Sequence, residues 1–232
     1  MEKSDIHQFL SLACGVAGNL FAIVLFVSPI PTFRRILRNK STEDFSGLPY
    51  IYSLLNCLLC LWYGLPWVSR DLILIATVNS IGAIFQLVYV TIFIVNATQS
   101  RRMRVIGLLV SVFVLLGAIV YISLIFFDFD SRHLFIGYLT VASLISMFAS
   151  PLFIINLVIR TKSVEFMPFY LSLSTLLMSL AFFAYGMLKF DFFVYTPNGI
   201  GVILGVIQLL LYAYYSRTTL EDGRTSLLHL HA

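Results

Sequence analysis

Seven long apolar runs are the feature that most constrains this chain. Each run has about the 20 residues that an α-helix needs to cross the hydrocarbon core of a bilayer. Apolar residues make up 59% of the chain and charged residues only 11%, whereas soluble domains have about 25% charged residues. The sequence therefore predicts an all-α membrane protein with seven transmembrane helices. The predicted spans are 9–33, 48–69, 72–98, 103–127, 133–159, 167–188 and 193–216.

The same pattern of residues occurs twice in the chain, at offsets of 122 or 119 positions. The matching pairs are Pro29 and Pro151, Lys40 and Lys162, Pro49 and Pro168, Tyr63 and Tyr185, and Asn79 and Asn198. Because only small insertions separate the copies, we infer that one unit was doubled. This predicts a three-helix repeat at residues 9–98, a linker helix within 99–128, a second three-helix repeat at 129–216 and a tail at 217–232. The single linker helix restores the orientation, so that the two repeats are parallel.

The positive charges indicate an orientation in the membrane and not a nucleic-acid partner. The net charge is +4, and the Lys and Arg residues lie in short loops between the apolar runs. Loops 34–47, 99–104 and 160–166 and the tail hold eleven of them, and the opposite side holds four. Since the more basic side of a membrane protein faces the cytoplasm, we expect an extracytoplasmic N-terminus and a cytoplasmic C-terminus.

The distribution of reactive side chains argues against an enzyme and against an ion-coupled carrier. No Asp, Glu, Lys or Arg falls in the middle of a predicted helix, where coupled carriers usually keep ionisable groups. Cys14, Cys57 and Cys60 lie inside apolar runs without disulfide or metal spacing, so they are interpreted as small buried residues. No catalytic dyad, phosphate loop, metal site or cofactor site is expected.

The ordered set SP…KSxE…P…YG…NxxG, found twice, resembles the SWEET family of sugar transporters in its eukaryotic two-repeat form. The string KSVEFMP at 162–168 is similar to that of plant members, and the resemblance covers about residues 9–216. It implies a facilitative, bidirectional transporter that moves a mono- or disaccharide, a glucose-like sugar being favoured, by alternating access. It also implies a homo-oligomer in the plasma membrane or the vacuolar membrane. A seven-helix receptor and an oligomeric channel remain as alternatives, although a receptor would not explain the duplication.

Small and polar residues form one stripe along the third predicted helix and one along the seventh. The stripes are Asn79, Gly82, Gln86, Tyr89 and Phe93, and Asn198, Gly201, Gly205, Gln208, Tyr212 and Tyr215. Helix packing is the simpler interpretation, above all for the glycines. An amide near the middle of a membrane is costly unless it is hydrogen-bonded, and sugar hydroxyls, which both donate and accept, would suit two such amides.

The resemblance assigns further roles to particular residues. Asn79 and Asn198 match the family's sugar-contacting pair. Cys60 and Phe182 match its other pocket pair, although the family often has Trp where this chain has Phe182. Aromatic residues at helical spacing are otherwise expected in the core of a bundle.

Prolines and three further residues match the gates of the family. The expected inner hinge and gate is formed by Pro29, Pro49, Pro151 and Pro168. The expected outer gate is formed by Tyr63, Asp191 and Pro197. Proline removes a backbone hydrogen bond and kinks or ends a helix, but Pro49 and Pro168 could equally be ordinary first-turn residues.

Overall fold

The computed structural model describes residues 3–165 and 167–230, with side chains described for 5–165 and 167–216. Phe166 of the KSVEFMP string and residues 231–232 of the predicted tail lie outside the described residues. Across the described part, the chain forms nine α-helices and no strand. The helices are α1 (Lys3–Val27), α2 (Ile30–Asn39), α3 (Leu48–Gly64), α4 (Ile73–Asn96), α5 (Gln99–Phe126), α6 (Phe129–Met147), α7 (Ala149–Thr161), α8 (Phe169–Leu188) and α9 (Phe192–Leu230).

These nine helices correspond to the seven predicted spans, because the first and fifth spans are each divided in two. Within the described part of the chain, six spans are long and apolar enough to cross a membrane. They are Asp5–Asn39, Ile73–Asn96, Gln99–Phe126, Phe129–Thr161, Phe169–Leu188 and Phe192–Ser216. The predicted all-α membrane fold is therefore confirmed. The backbone of α9 stays helical to Leu230, well into the segment expected to be a tail.

The second span is shorter than the sequence predicts. We expected a helix over 48–69, but α3 has 17 residues and ends at Gly64. Pro66 explains the early end, since a residue before proline is forced out of the helical region, and Leu65 has an extended ψ of 150°. A turn follows, in which the backbone N–H groups of Val68 and Ser69 donate to the carbonyl of Leu65.

Prolines mark the breaks in the first and fifth spans. Pro29 lies between α1 and α2, and its missing N–H would have bonded the carbonyl of Leu25. That carbonyl instead accepts hydrogen bonds from the backbone N–H of Ser28 at 3.3 Å and from its hydroxyl at 2.8 Å. In the second copy the break lies at Phe148, three residues before Pro151. The two breaks are therefore related by the duplication but are not identical.

The repeated KSxE string forms the same helix stop in both copies. Lys40 and Lys162 end α2 and α7 in the left-handed conformation, with φ values of 47° and 53°. In the first copy, the backbone N–H of Glu43 then donates to the hydroxyl of Ser41 at 3.2 Å. The second copy has the matching bond, from the N–H of Glu165 to a serine hydroxyl at 3.3 Å. The string is thus a structural signal for a helix end and a turn.

The contacts divide the chain into two compact units, which are described separately. The middle unit is Ala22–Ser143, and the terminal unit combines the chain up to Phe21 with the chain from Leu144 onward. The two boundaries are 122 positions apart, the offset of the duplication. The terminal unit therefore contains the N-terminal part of the first repeat's first helix, together with helices of the second repeat. The middle unit contains the rest of the first repeat and the N-terminal part of the second repeat's first helix. The predicted repeats, at residues 9–98 and 129–216, describe a duplication of sequence and not a division by contacts. Their bounds therefore stay a prediction.

The core of the middle unit is built on stacked aromatic rings. Phe33 stacks on Tyr89 with ring centroids 4.4 Å apart, and Tyr50 meets the ring of Phe33 edge-on at 4.8 Å. The hydroxyl of Tyr89 donates to the carbonyl of Phe26 at 2.6 Å. This bond satisfies a carbonyl that the break before α2 leaves without its usual helical partner, so α4 stabilises the break at Pro29.

The repeated Tyr-Gly pair has a packing reason. A Cβ atom on Gly64 would lie 2.5 Å from the backbone nitrogen of Ala76, and one on Gly186 would lie 2.6 Å from the backbone nitrogen of Tyr195. Gly64 and Gly186 occupy equivalent positions in the two copies. The glycine therefore lets the end of α3 approach α4, and the end of α8 approach α9, at backbone distance.

Candidate functional site

The residues predicted for the site are distributed over both units. Asn79, Cys60, Pro29, Pro49 and Tyr63 lie in the middle unit. The terminal unit contains Asn198, Phe182, Pro151, Pro168, Asp191 and Pro197. Each group is described within its own unit, and a sugar site shared by both groups stays a prediction.

The two asparagines have the same local geometry. Each is half-buried, and the side-chain N–H of Asn79 donates to the carbonyl of Ile75 at 2.8 Å. The side-chain N–H of Asn198 donates to the carbonyl of Val194, also at 2.8 Å. One N–H of each amide is therefore used to orient the side chain along its own helix. The amide carbonyl and the second N–H, which point away from that bond, are the groups that a ligand could contact.

The glycine that follows each asparagine one turn later allows close packing. A Cβ on Gly82 would lie 2.7 Å from the ring of Phe26 and 2.8 Å from the sulfur of Cys57. A Cβ on Gly201 would lie 2.6 Å from the hydroxyl oxygen of Ser179. The structure thus supports the packing interpretation for these glycines. The small residues keep the neighbouring helices close to the turn that carries each asparagine.

A small cavity lies beside Asn198 in the terminal unit. Its volume is about 110 Å³, and Asn198, Pro151, Gln208 and Ser179 contribute to its lining. Ligand pockets usually have about 300–1,000 Å³, and a water molecule takes about 30 Å³. The cavity therefore has room for a few water molecules and is too small for a sugar. Gln208 is 7% exposed, so its amide would be one partner for such water.

The other predicted pocket pair is well packed. Cys60 is buried, and its thiol lies 3.9 Å from the side-chain oxygen of Asn56, which also accepts a 3.0 Å bond from the hydroxyl of Ser143. Phe182 is buried against Gly18, where an added Cβ would lie 2.8 Å from the Phe182 ring. A residue larger than glycine at position 18 would therefore require the ring of Phe182 to move.

The four prolines of the predicted inner gate occupy two kinds of position. Pro29 and Pro151 lie at or just after the breaks in the first and fifth spans. Pro49 lies in the first turn of α3, and Pro168 is the residue before α8, with φ −62° and ψ 124°. The last two fit the capping interpretation without any further role. A hinge function of the prolines stays a prediction.

The residues of the predicted outer gate are buried. The hydroxyl of Tyr63 lies 3.3 Å from Nε2 of His133, whose Nδ1 lies 3.2 Å from the carbonyl of Val68. Asp191 is 8% exposed and accepts a 3.0 Å bond from the backbone N–H of Val194. It is thus the N-cap of α9, a role that sequence analysis missed, although Asp directly before an apolar run is a standard helix-start signal. Pro197 is buried inside α9.

A charged cluster lies where the first basic loop folds back on α2. The guanidinium of Arg35 donates two hydrogen bonds to the carboxylate of Glu43, at 3.1 and 2.5 Å, and the amide of Asn39 donates a third at 2.6 Å. The hydrogen bond from Arg35, followed by the one from Asn39, holds the pKa of Glu43 below its usual value. Arg101 also donates to the backbone carbonyl of Glu43, so this loop is tied to the start of α5.

Comparison with known proteins identifies the family. The profile of the family described as "Sugar efflux transporter for intercellular exchange" matches residues 12–101 and again 134–220. The bidirectional sugar transporter SWEET2a of Oryza sativa subsp. japonica is 64% identical over 220 residues, covering 95% of this chain and 90% of the relative. SWEET2 of Arabidopsis thaliana is 62% identical over 208 residues, covering 90% of this chain and 88% of the relative.

A solved structure agrees with these relatives. It is a eukaryotic SWEET transporter determined at 3.7 Å resolution, and it matches with a TM-score of 0.90 and 58% sequence identity. The match covers 91% of this chain and 99% of the other. The double match of the profile confirms the two repeats, and the high identity to rice and Arabidopsis proteins confirms the predicted likeness to plant members. The chain therefore belongs to the SWEET family of sugar transporters.

Proposed function

We propose that this chain is a facilitative, bidirectional sugar transporter that works by alternating access. Its relatives at 58–64% identity are named bidirectional sugar transporters. The observation that carries the proposal is the matched pair Asn79 and Asn198. At equivalent positions of the two copies, each amide is fixed by the same bond to its own helix, which leaves one N–H and one carbonyl oxygen free to meet hydroxyl groups.

The chemistry of a sugar fits two such amides. Each hydroxyl both donates and accepts, so it can bond to an amide N–H or to an amide oxygen. A facilitator should bind its substrate weakly, because the substrate must also leave. Cys60 and Phe182 would shape the space beside the sugar. A glucose-like monosaccharide is the favoured substrate, and a disaccharide is the alternative.

The absence of charged residues in the middle of the spans predicts transport without ion coupling. Liposomes that contain only this protein should take up labelled glucose until the inside and outside concentrations are equal. A proton gradient or a membrane potential should not change that end point. Liposomes without protein provide the background. Accumulation above equilibrium that collapses with a protonophore would contradict the proposal.

The orientation and assembly are proposed on separate grounds. The bias of Lys and Arg favours an extracytoplasmic N-terminus and a cytoplasmic C-terminus, in the plasma membrane or the vacuolar membrane. Two glycosylation sequons, at Asn39 and Asn96, then face the cytoplasm and should carry no glycan. A glycosidase-sensitive mass shift that is absent in Asn39→Gln would show the opposite orientation. A homo-oligomer is proposed from the family resemblance alone.

A further inference from the structure

A wide apolar groove runs along an exposed side of the middle unit, between α3 and α5. Its volume is about 690 Å³. The α3 wall includes Leu48, Pro49 and Leu55, and the α5 wall includes Leu108 and Leu115. Of the residues predicted for transport, the groove lining includes Pro49 and none of the predicted sugar contacts. Its size lies in the usual range for ligand sites.

The polar side chains that α3 and α5 contribute to the groove are already satisfied. The hydroxyl of Ser111 donates to the carbonyl of Gly107 at 2.8 Å, and the hydroxyl of Tyr52 donates to the carbonyl of Ser143 at 3.3 Å. Neither needs a partner from an occupant. The walls therefore suit a hydrocarbon chain better than they suit a sugar or a peptide, which would each bring unsatisfied polar groups.

One end of the groove opens into a charged mouth. The mouth has a volume of about 230 Å³, and Ser46 and Leu48 line both it and the groove, so the two adjoin. Arg101 and Arg104 line the mouth. Arg101 is partly engaged with the carbonyl of Glu43. Arg104 is exposed and has no hydrogen-bond or ion-pair partner among the residues that the structure describes.

The lining of the mouth keeps a net positive charge when its acidic residue is counted, so it would attract an anion. Asp44 also lines it, so the lining carries two cations and one carboxylate. The neighbouring carboxylate of Glu43 is neutralised by Arg35. In addition, α3 and α5 both begin at this end, so their partial positive charges point the same way.

The positions on α5 order these groups along the axis of the helix. Arg104, Leu108, Ser111 and Leu115 are spaced four, three and four residues apart, which makes one stripe with the cation at its start. At 1.5 Å per residue, the stripe is about 16 Å long. This is close to half of the roughly 30 Å hydrocarbon core, the depth of one leaflet.

We propose that this groove and its mouth form a binding site for one anionic phospholipid of the leaflet that contacts the basic loops. The phosphate lies at Arg104 and Arg101, and one acyl chain lies between α3 and α5. Because Pro49 forms part of the groove wall, the bound chain packs against the first turn of α3. The proposal depends on the membrane fold and not on sugar transport.

The test is lipid titration of the purified full-length protein, followed by native mass spectrometry. Phosphatidylglycerol and phosphatidylcholine with identical acyl chains are compared. A basic residue near a membrane surface contributes about 1 kcal/mol to binding an anionic lipid, which is about fivefold in affinity. We therefore expect Arg104→Gln to weaken phosphatidylglycerol binding about fivefold and to leave phosphatidylcholine unchanged. Arg104→Lys should keep the preference.

Two matched controls separate this site from general effects. Arg160→Gln removes the same charge from an exposed position in the last turn of α7, beside another of the basic loops, and should leave both affinities unchanged. Ser111→Phe fills the groove and should remove one bound lipid of either kind. Val110→Phe, on the opposite face of α5, should not. Uptake by each variant in phosphatidylcholine vesicles shows whether it is folded.

Three results would overturn the proposal. The first is equal affinity of the parent for the two lipids. The second is a preference for phosphatidylglycerol that Arg104→Gln does not reduce, or that Arg160→Gln reduces equally, which would indicate a diffuse charge effect. The third is that Ser111→Phe changes the mass of the oligomer and not the number of bound lipids, which would make the groove a contact between copies of the chain. If Arg104→Gln does not fold, Arg104→Lys and Ser111→Phe decide the question.

Discussion

Replacement of Gly64 or Gly186 by alanine should destabilise the protein, although alanine is the better helix former. The added Cβ of Gly64→Ala would lie 2.5 Å from the backbone nitrogen of Ala76, whereas an ordinary contact begins at 3.4 Å. The helices would therefore have to separate by about 0.9 Å, the difference between these distances. A backbone atom cannot rotate away as the end of a side chain can. Gly186→Ala meets the backbone of Tyr195 in the same way.

The expected magnitude is the balance of two effects. Overpacking costs about 1–3 kcal/mol, with the upper part expected for a backbone contact, and alanine returns up to about 1 kcal/mol of helix propensity. A net loss of about 2 kcal/mol should lower the midpoint of thermal unfolding by about 4–8 °C for a chain of this size. The assay is thermal unfolding of the purified protein in detergent, followed by circular dichroism or by tryptophan fluorescence.

The chain contains a matched control for this prediction. A Cβ on Gly117, within α5, would meet nothing within 4 Å. Gly117→Ala should therefore gain up to about 1 kcal/mol and raise the midpoint by about 2–4 °C. If Gly64→Ala and Gly186→Ala unfold at or above the temperature of the parent, the close backbone approach is not what the Tyr-Gly pair provides.

Three further predictions follow from single contacts. Tyr89→Phe removes the bond to the carbonyl of Phe26 and should lower the free energy of unfolding by about 1 kcal/mol, measured by thermal unfolding; no change would mean that water replaces the hydroxyl. Asp191→Ala removes the N-cap of α9 and should cost about 1 kcal/mol, whereas Asp191→Asn should restore most of it in the same assay. The bond from Arg35 lowers the pKa of Glu43, so its stabilisation is complete above the unfolded pKa of about 4.3 and is lost as the pH falls through the lower folded pKa. Unfolding temperatures measured across that acidic range should fall less steeply in Glu43→Gln, and identical pH profiles would exclude the contribution.

The repeated strings predicted the fold well because they have local causes. Lys40 and Lys162 end their helices in the left-handed conformation, and the serine that follows bonds to the glutamate N–H, so KSxE could mark a helix end twice. The breaks at Pro29 and near Pro151 follow from the missing N–H of proline. The predicted span 48–69 extends past the end of α3 because the run stays apolar beyond Gly64, whereas Pro66 forces Leu65 out of the helical region.

The contacts of the candidate site could not be predicted in the same way. The bond from Tyr89 to the carbonyl of Phe26 joins residues 63 positions apart, and no sequence period indicates it. The contact of Gly18 with Phe182 brings the first helix of one copy to a helix of the other. Such an arrangement depends on tertiary packing, and a glycine in an apolar run gives no sign of its partner. Asn79 and Asn198 are candidates because they share a position in both copies.

The most direct test of the proposed transport mechanism is sugar binding and uptake by Asn79→Ala and Asn198→Ala. Each amide has one N–H and one carbonyl oxygen to offer, and each hydrogen bond is worth about 0.5–1.5 kcal/mol. Loss of one amide should therefore weaken sugar binding about 10- to 100-fold. Calorimetry measures binding, and uptake is normalised to the protein that reaches the membrane. We predict that both variants reach the membrane, bind sugar weakly and transport almost none. Parent-like binding and uptake in both variants would show that the asparagines are structural and that the sugar binds elsewhere.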